Sequence, residues 1–186
     1  RNRKSHDLSL EVFSLHVPKC GGTSFKSSLK EIYGSSFVSH YPPIRTQGKE
    51  SLDDLNGKKC VHGHLVLDRY KDLLKGVVLL TWLRCPVERT MSFYQHTIKA
   101  PDENDSFQMD VVRAQYTFDM FIEHEINHNQ LFDWIGDRNP EDFQFVGFID
   151  SIKVSMQKCA AVLHWPYVPS FPWLNKKTKQ LSVSNA

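Results

Sequence analysis

The chain has 186 residues, 23 Lys/Arg against 21 Asp/Glu for a formal charge of +2 at pH 7, and 40% hydrophobic, 24% charged and 12% aromatic residues. This is the make-up of a single globular domain spanning residues 1–186, and it excludes a disordered, collagen-like or disulfide-dense chain. The longest nearly continuous apolar stretch, Gly76 to Leu83, is far too short for a membrane span. The chain opens on Arg1 rather than Met, so the absence of a leader pattern carries no weight.

The small net charge hides a division. Residues 1–99 balance at +7, residues 100–150 at −10 and residues 151–186 at +5. A chain so divided presents one face that attracts anions and one that repels them, unless the charges are simply solvated surface. The four cysteines, Cys20, Cys60, Cys85 and Cys159, form no CxxC pair and show no metal-ligand spacing, so free thiols are expected.

Taken in order, Glu11 to Val17 is a β-rich run, followed by a Pro/Gly loop and a helical pattern with Phe25, Leu29 and Ile32 apolar. Phe37 to His40 and Lys59 to His64 read as two further strands, the latter leading into a helix from about Leu67 to Leu74. Gly76 to Leu83 has the Val/Leu character of a strand buried on both faces of a parallel sheet. Pro86 then suits the first turn of a helix carrying Val87, Met91, Tyr94 and Ile98 on one side. Ala100 to Asp110 reads as a surface loop, Phe118 to Ile135 as a helix, Gln144 to Ile149 as a last strand and Ile152 to Leu163 as a last helix. Strands alternating with helices predict an α/β fold with a mainly parallel sheet flanked by helices, its core over about 11–165 and an aperiodic tail over 166–186.

Two loops have the composition for anion binding. Pro18-Lys19-Cys20-Gly21-Gly22-Thr23-Ser24 joins a strand to a helix, where backbone amides and the helix N-terminus face outward. Gly21 and Gly22 permit close backbone approach, Thr23 and Ser24 offer caps and hydroxyls, and Lys19 adds a full charge. No Gly-Lys-Ser/Thr closes the loop, so it is not a Walker A loop, and a capped turn without a ligand has the same composition. The second loop, from Leu83 to Tyr94, sets Arg84 at a strand's carboxyl end and Ser92 two helical turns on, where both can converge on one phosphate.

Together, HVPKCGGTSF and TWLRCPVERTMSFY resemble the paired loops of sulfotransferases that use 3'-phosphoadenosine 5'-phosphosulfate (PAPS), with the nearest resemblance to the heparan sulfate 2-O-sulfotransferase group and its bacterial relatives. Val61-His62-Gly63-His64 resembles the His-Gly-His segment of that group, and FVGFIDSIKVSMQKCAAVL its late strand and helix. The resemblance covers most of residues 11–165 and implies a P-loop-like fold. It implies sulfuryl transfer from PAPS to an acceptor hydroxyl, on a glycan or a small alcohol, with no metal required and no nucleic-acid partner.

Carried over by position, the resemblance sets Lys19 at the bridging oxygen of PAPS. Gly21, Gly22, Thr23 and Ser24 would hold the 5'-phosphate, and Arg84 and Ser92 the 3'-phosphate. His64 would be the general base, with His62 in support; a free imidazole of pKa about 6.5 suits that role near neutral pH. Cys20 stands where Thr is the commoner residue. Relatives occur in the bacterial cytoplasm and in the Golgi lumen, and free thiols favour the former.

Other signals compete. His124-Glu125-Ile126-Asn127-His128 matches HExxH, in which two histidines one helical turn apart bind zinc and the Glu activates water. Leu131 replaces the Gly of the extended pattern, and an amphipathic helix with Phe118, Phe121, Ile122 and Ile126 inward accounts for the same residues. The alternatives to a sulfotransferase are thus a zinc metallohydrolase and a nucleotide-binding, kinase-like module. Trp165, Tyr167, Phe171 and Trp173 either line an acceptor pocket or pack the tail down, and packing is the commoner role of such residues. Asn104-Asp105-Ser106 matches a glycosylation sequon.

Overall fold

Parallel strands covered on both faces need apolar side chains on both, and the Val/Leu runs of this chain supply them. The computed structural model describes residues 9–43, 46–49 and 53–173; residues 1–8 and the predicted tail beyond Trp173 lie outside the described residues. Strands β1 (Val12–Leu15), β2 (Phe37–Ser39), β3 (Cys60–Gly63), β4 (Val78–Leu83) and β5 (Phe145–Phe148) form one all-parallel sheet in the order β2-β3-β1-β4-β5. The expected α/β architecture is therefore the observed one.

The sheet separates two apolar layers. On one face Val12, Cys60, Leu80 and Trp82 pack against Phe25 and Leu29 of α1 (Gly22–Tyr33) and Met156 and Cys159 of α6 (Ile152–Val162). On the other, Phe13, Leu15, Val61 and Leu79 meet Leu55, Leu67, Tyr70 and Phe143, with Leu131, Trp134 and Ile135 of α5 (Gln130–Ile135) alongside. Period-two alternation decides this division, so Ser14 and His62 share the α1 face with Val12 and Cys60. Helix α2 (Pro86–Lys99) leaves β4 with Pro86 in its first turn, as expected. It packs beside α3 (Ser106–Arg113) and α4 (Phe118–Glu123), where Phe107, Val111 and Phe121 form a third small core.

Three expectations need correction. The helix expected over Leu67 to Leu74 is a single 3₁₀ turn, Leu67–Tyr70; Leu67 and Tyr70 are buried three residues apart, the repeat of a 3₁₀ helix. The expected loop from Ala100 to Asp110 already contains the start of α3, because the Asp105 carboxylate accepts from the Gln108 backbone N–H at 3.1 Å and from its side chain at 2.9 Å. The helix expected from Phe118 to Ile135 is α4, a 3₁₀ turn at Glu125–Asn127, and α5. The break follows from caps. His124 and His128 adopt extended backbone, and Asn129 takes a left-handed φ of 53° that a helix interior does not admit.

Candidate functional site

In a parallel sheet whose chain runs outward from one central strand to both edges, the loops on either side of that strand part and leave a crevice at its carboxyl end. Here β1 is central, with β3 on one side and β4 on the other. The segments after these three strands carry Lys19 to Ser24, His64, and Arg84 to Ser92. All three border one cleft of about 1060 Å³. Its walls include His16, Lys19, Gly21, Gly22, Thr23, Ser24, His64, Arg84 and Ser92, so of the residues that the resemblance assigned to the donor or to the base only His62 is absent from them.

The loop after β1 turns sharply. Lys19 has φ 68° and Gly21 φ 75°, both left-handed, and together they aim the chain into α1, which begins at Gly22. Both glycines are required by what lies over them. A Cβ on Gly21 would collide with Ile149, and one on Gly22 would lie inside the His16 imidazole, against Cδ2 and Nε2. The Cβ sides of both glycines are thus closed by Ile149 and His16, and what the turn offers an anion is its backbone amides at the start of α1. Cys20 turns the other way: its thiol is buried in the layer with Phe13 and Leu15, and burial pushes its pKa up to about 11. A buried neutral group of that size packs the loop down.

Three histidines meet where β1 and β3 end. His16 stacks on His62 with ring centroids 5.0 Å apart and lies 4.3 Å from His64. His62 is fully buried below the cleft wall, and its Nδ1 shares a 2.8 Å hydrogen bond with Ser14 Oγ. Burial, then the neighbouring His64, lower its pKa to about 3; the Gly22 backbone opposes this shift. His64 lines the cleft between Tyr41 and Trp134, at 5.0 and 5.4 Å. Its pKa is lowered to about 4, by burial first and by Lys19 second, and its Nε2 makes no hydrogen bond among the described residues. That nitrogen is itself buried, and the ring as a whole borders the cleft as a neutral imidazole, the form that can accept a proton.

Two residues that sequence reasoning passed over support this cluster. His16 borders the cleft and packs against both other rings; its place at the end of a strand, directly before the glycine loop, was the available signal. Gln47 is buried and clasps His64 from behind, donating to its carbonyl at 2.7 Å and accepting from Val66 N–H at 2.8 Å. Nothing local in the sequence marks it.

Across the cleft, Arg84 is engaged by Glu88, with Nε and Nη2 each 3.1 Å from Oε2. Arg89, the next cation of α2, donates to Gln130 of α5 at 2.7 Å. The far wall is acidic, with Asp102, Asp105 and Asp133, and the last described residues of the tail close one side through Phe171 and Trp173. The tail aromatics divide between packing and the cleft wall. Trp165 packs on Phe25 and donates to the Tyr33 hydroxyl at 3.3 Å, whereas Phe171 bridges Trp82 and the cleft.

The HExxH signal has no helix to act on. His124 stacks on Phe107 and accepts from Ile126 N–H, while His128 donates to the Ile122 carbonyl. With extended backbone at both histidines, the one-turn spacing that a zinc pair needs is not formed.

No protein-family model and no curated protein matches the chain. Among solved structures it is similar to mouse sulfotransferase SULT7A1 complexed with PAP, with a TM-score of 0.53 at 15% identity over 83% of this chain. A sulfotransferase from Alicyclobacillus acidocaldarius matches with a TM-score of 0.48 at 17% identity, covering 91% of this chain and 86% of that one. The chain spans 58% of the mouse protein's length. The likeness to the mouse structure shows that this mainly parallel sheet, flanked by helices, has the fold of a sulfotransferase.

Proposed function

We propose that the chain transfers a sulfuryl group from PAPS to an acceptor hydroxyl. The observation that carries this reading is the convergence of the backbone amides at the start of α1, Lys19, His64, Arg84 and Ser92 on one cleft at the carboxyl end of β1. The cleft fits the compound. It has backbone amides at the start of α1, cations after two different strands for two separate phosphates, and room for a nucleotide.

PAPS, when bound, supplies the sulfuryl group and a phosphate as leaving group. Such a transfer is governed by positioning and electrostatics, as phosphoryl transfer is. Lys19 offsets the negative charge that develops on the leaving phosphate, and the amides of Gly21 and Gly22 orient it. Arg84 and Ser92 hold the 3'-phosphate, for which Arg84 exchanges the Glu88 carboxylate for a stronger anion. His64 takes the acceptor hydroxyl proton; an anion beside Lys19 offsets the smaller of the two influences that depress its pKa, burial being the larger. His62, walled off from the cleft, acts only through the rings above it.

Asp102, Asp105 and Asp133, together with Trp134, Phe171 and Trp173 elsewhere on the lining, favour a neutral hydroxyl-bearing acceptor such as a small alcohol or an uncharged sugar. They disfavour a polyanion, so the heparan acceptor of the group resembled in sequence does not carry over.

The test is thermal denaturation with 3',5'-adenosine bisphosphate (PAP), AMP and ATP at equal concentration. The bisphosphate is expected to raise Tm most, because it alone of the three engages both phosphate sites. An equal response to all three would contradict the reading, and a preference for ATP would favour a kinase-like module.

A further inference from the structure

His16 is buried to 8% exposure yet borders the cleft, and sequence motifs assign it no part in it. Its Nδ1 lies 2.9 Å from the Tyr41 hydroxyl. Its opposite edge, Cδ2 and Nε2, lies over the Cα of Gly22, where that residue's Cβ would otherwise stand, at the first residue of the 12-residue helix α1. Nε2 has no polar partner among the described residues. Unlike the Nε2 atoms of His62 and His64, this nitrogen is not closed off, so it is open to the cleft beside the N-terminus of α1.

The tautomer follows from chemistry. Burial pushes the Tyr41 phenol up to about 12, so it stays protonated; a phenol is a far stronger acid than a neutral imidazole N–H and therefore donates to Nδ1. The single ring proton is then on Nε2. Burial, then His62, His64, Lys26 and Lys19, hold His16 neutral, so it presents one N–H and no full charge.

We propose that His16 is an anion-contacting residue of this cleft, donating its Nε2–H to an oxygen of the 5'-phosphosulfate beside the amides of α1. This rests on the PAPS reading above. Tyr41 sets the tautomer, and Gly22 provides the space. Histidine suits this position because a lysine or arginine there would put a further cation against His64 and weaken it as a base.

The experiment is calorimetric titration with PAP and with adenosine 3'-monophosphate, which lacks the 5'-phosphate. His16→Phe is expected to weaken PAP at least about tenfold and leave the 3'-monophosphate unchanged. His16→Gln, whose amide nitrogen reaches the Nε2 position, is expected to stay within about threefold of the unaltered protein for PAP. Should His16→Phe fail to fold, Tyr41→Phe, at a residue 40% exposed, carries the test: ¹⁵N NMR of the His16 ring loses the pure Nε2–H tautomer and PAP weakens about threefold. PAP affinity unchanged in His16→Phe, equal losses for both nucleotides, or a changed tautomer with unchanged affinity in Tyr41→Phe would each overturn the assignment. If the unaltered protein binds no PAP, the PAPS reading fails and takes this inference with it.

Discussion

The floor of the cleft and its acidic rim are built by different means. On the floor, His16, His62 and the Gly21-Gly22 turn are fixed by the parallel register of β1 and β3, by stacking, and by glycines that leave no slack. On the rim, α3, α4 and α5 are eight, six and six residues long; side-chain caps and one small aromatic core hold α3 and α4, and α5 packs Leu131, Trp134 and Ile135 against the sheet layer. Short helices gain little from their own hydrogen bonds and depend on such local contacts. A floor built this way holds reacting groups within narrow limits, while the rim tolerates variation and suits acceptor choice.

Substitutions sharpen the contrast. His64→Ala is expected to lower sulfuryl transfer at least about a hundredfold while PAP affinity stays within a few-fold; retained turnover, measured with labelled PAPS, would move the base elsewhere. Gly22→Ala forces a methyl into the His16 ring, and a loss of about 2 kcal/mol in urea denaturation is expected together with weakened PAP binding. Asp105→Ala on the rim removes the α3 cap and should cost about 1 kcal/mol with PAP affinity unchanged. A rim substitution that weakened PAP as much as Gly22→Ala does would erase the distinction between the two regions.

The floor also predicts a pH signature. His62 and His64 have folded pKa values of about 3 and about 4, below the 6.5 of a free imidazole, so between those values and 6.5 the unfolded chain binds more protons. Stability should be level from about pH 6.5 to about 8 and fall as the pH drops below that range. His64→Gln should make that acid slope shallower by removing one of the groups responsible. An unchanged slope, read from urea midpoints between pH 7 and 4.5, would mean that His64 is not held neutral.

The same contrast explains what was legible in the sequence. The run from Val78 to Leu83 reads as a buried strand because a sheet covered on both faces admits little else, and the loops after β1 and β4 stand out by glycine, lysine and arginine at strand ends. The rim was misread where single side chains override the periodic pattern: Asp105 starts a helix inside an expected loop, and Asn129 breaks an expected long one. Cys20 stands in the anion loop where Thr is the commoner residue, and the left-handed turn at Lys19 sends it into the core. The parts of His16 and Gln47 depend on contacts with residues six and 17 positions away, with His16 over Gly22 and Gln47 on His64, and no spacing rule announces them.

The central claim is that this floor moves a sulfuryl group. The most direct measurement is transfer from labelled PAPS to a panel of small alcohols, phenols, neutral sugars and heparan chains. A labelled product is expected with a neutral hydroxyl acceptor, lost in both Lys19→Ala and His64→Ala. PAP binding without transfer to any acceptor, or transfer that survives both substitutions, would contradict it.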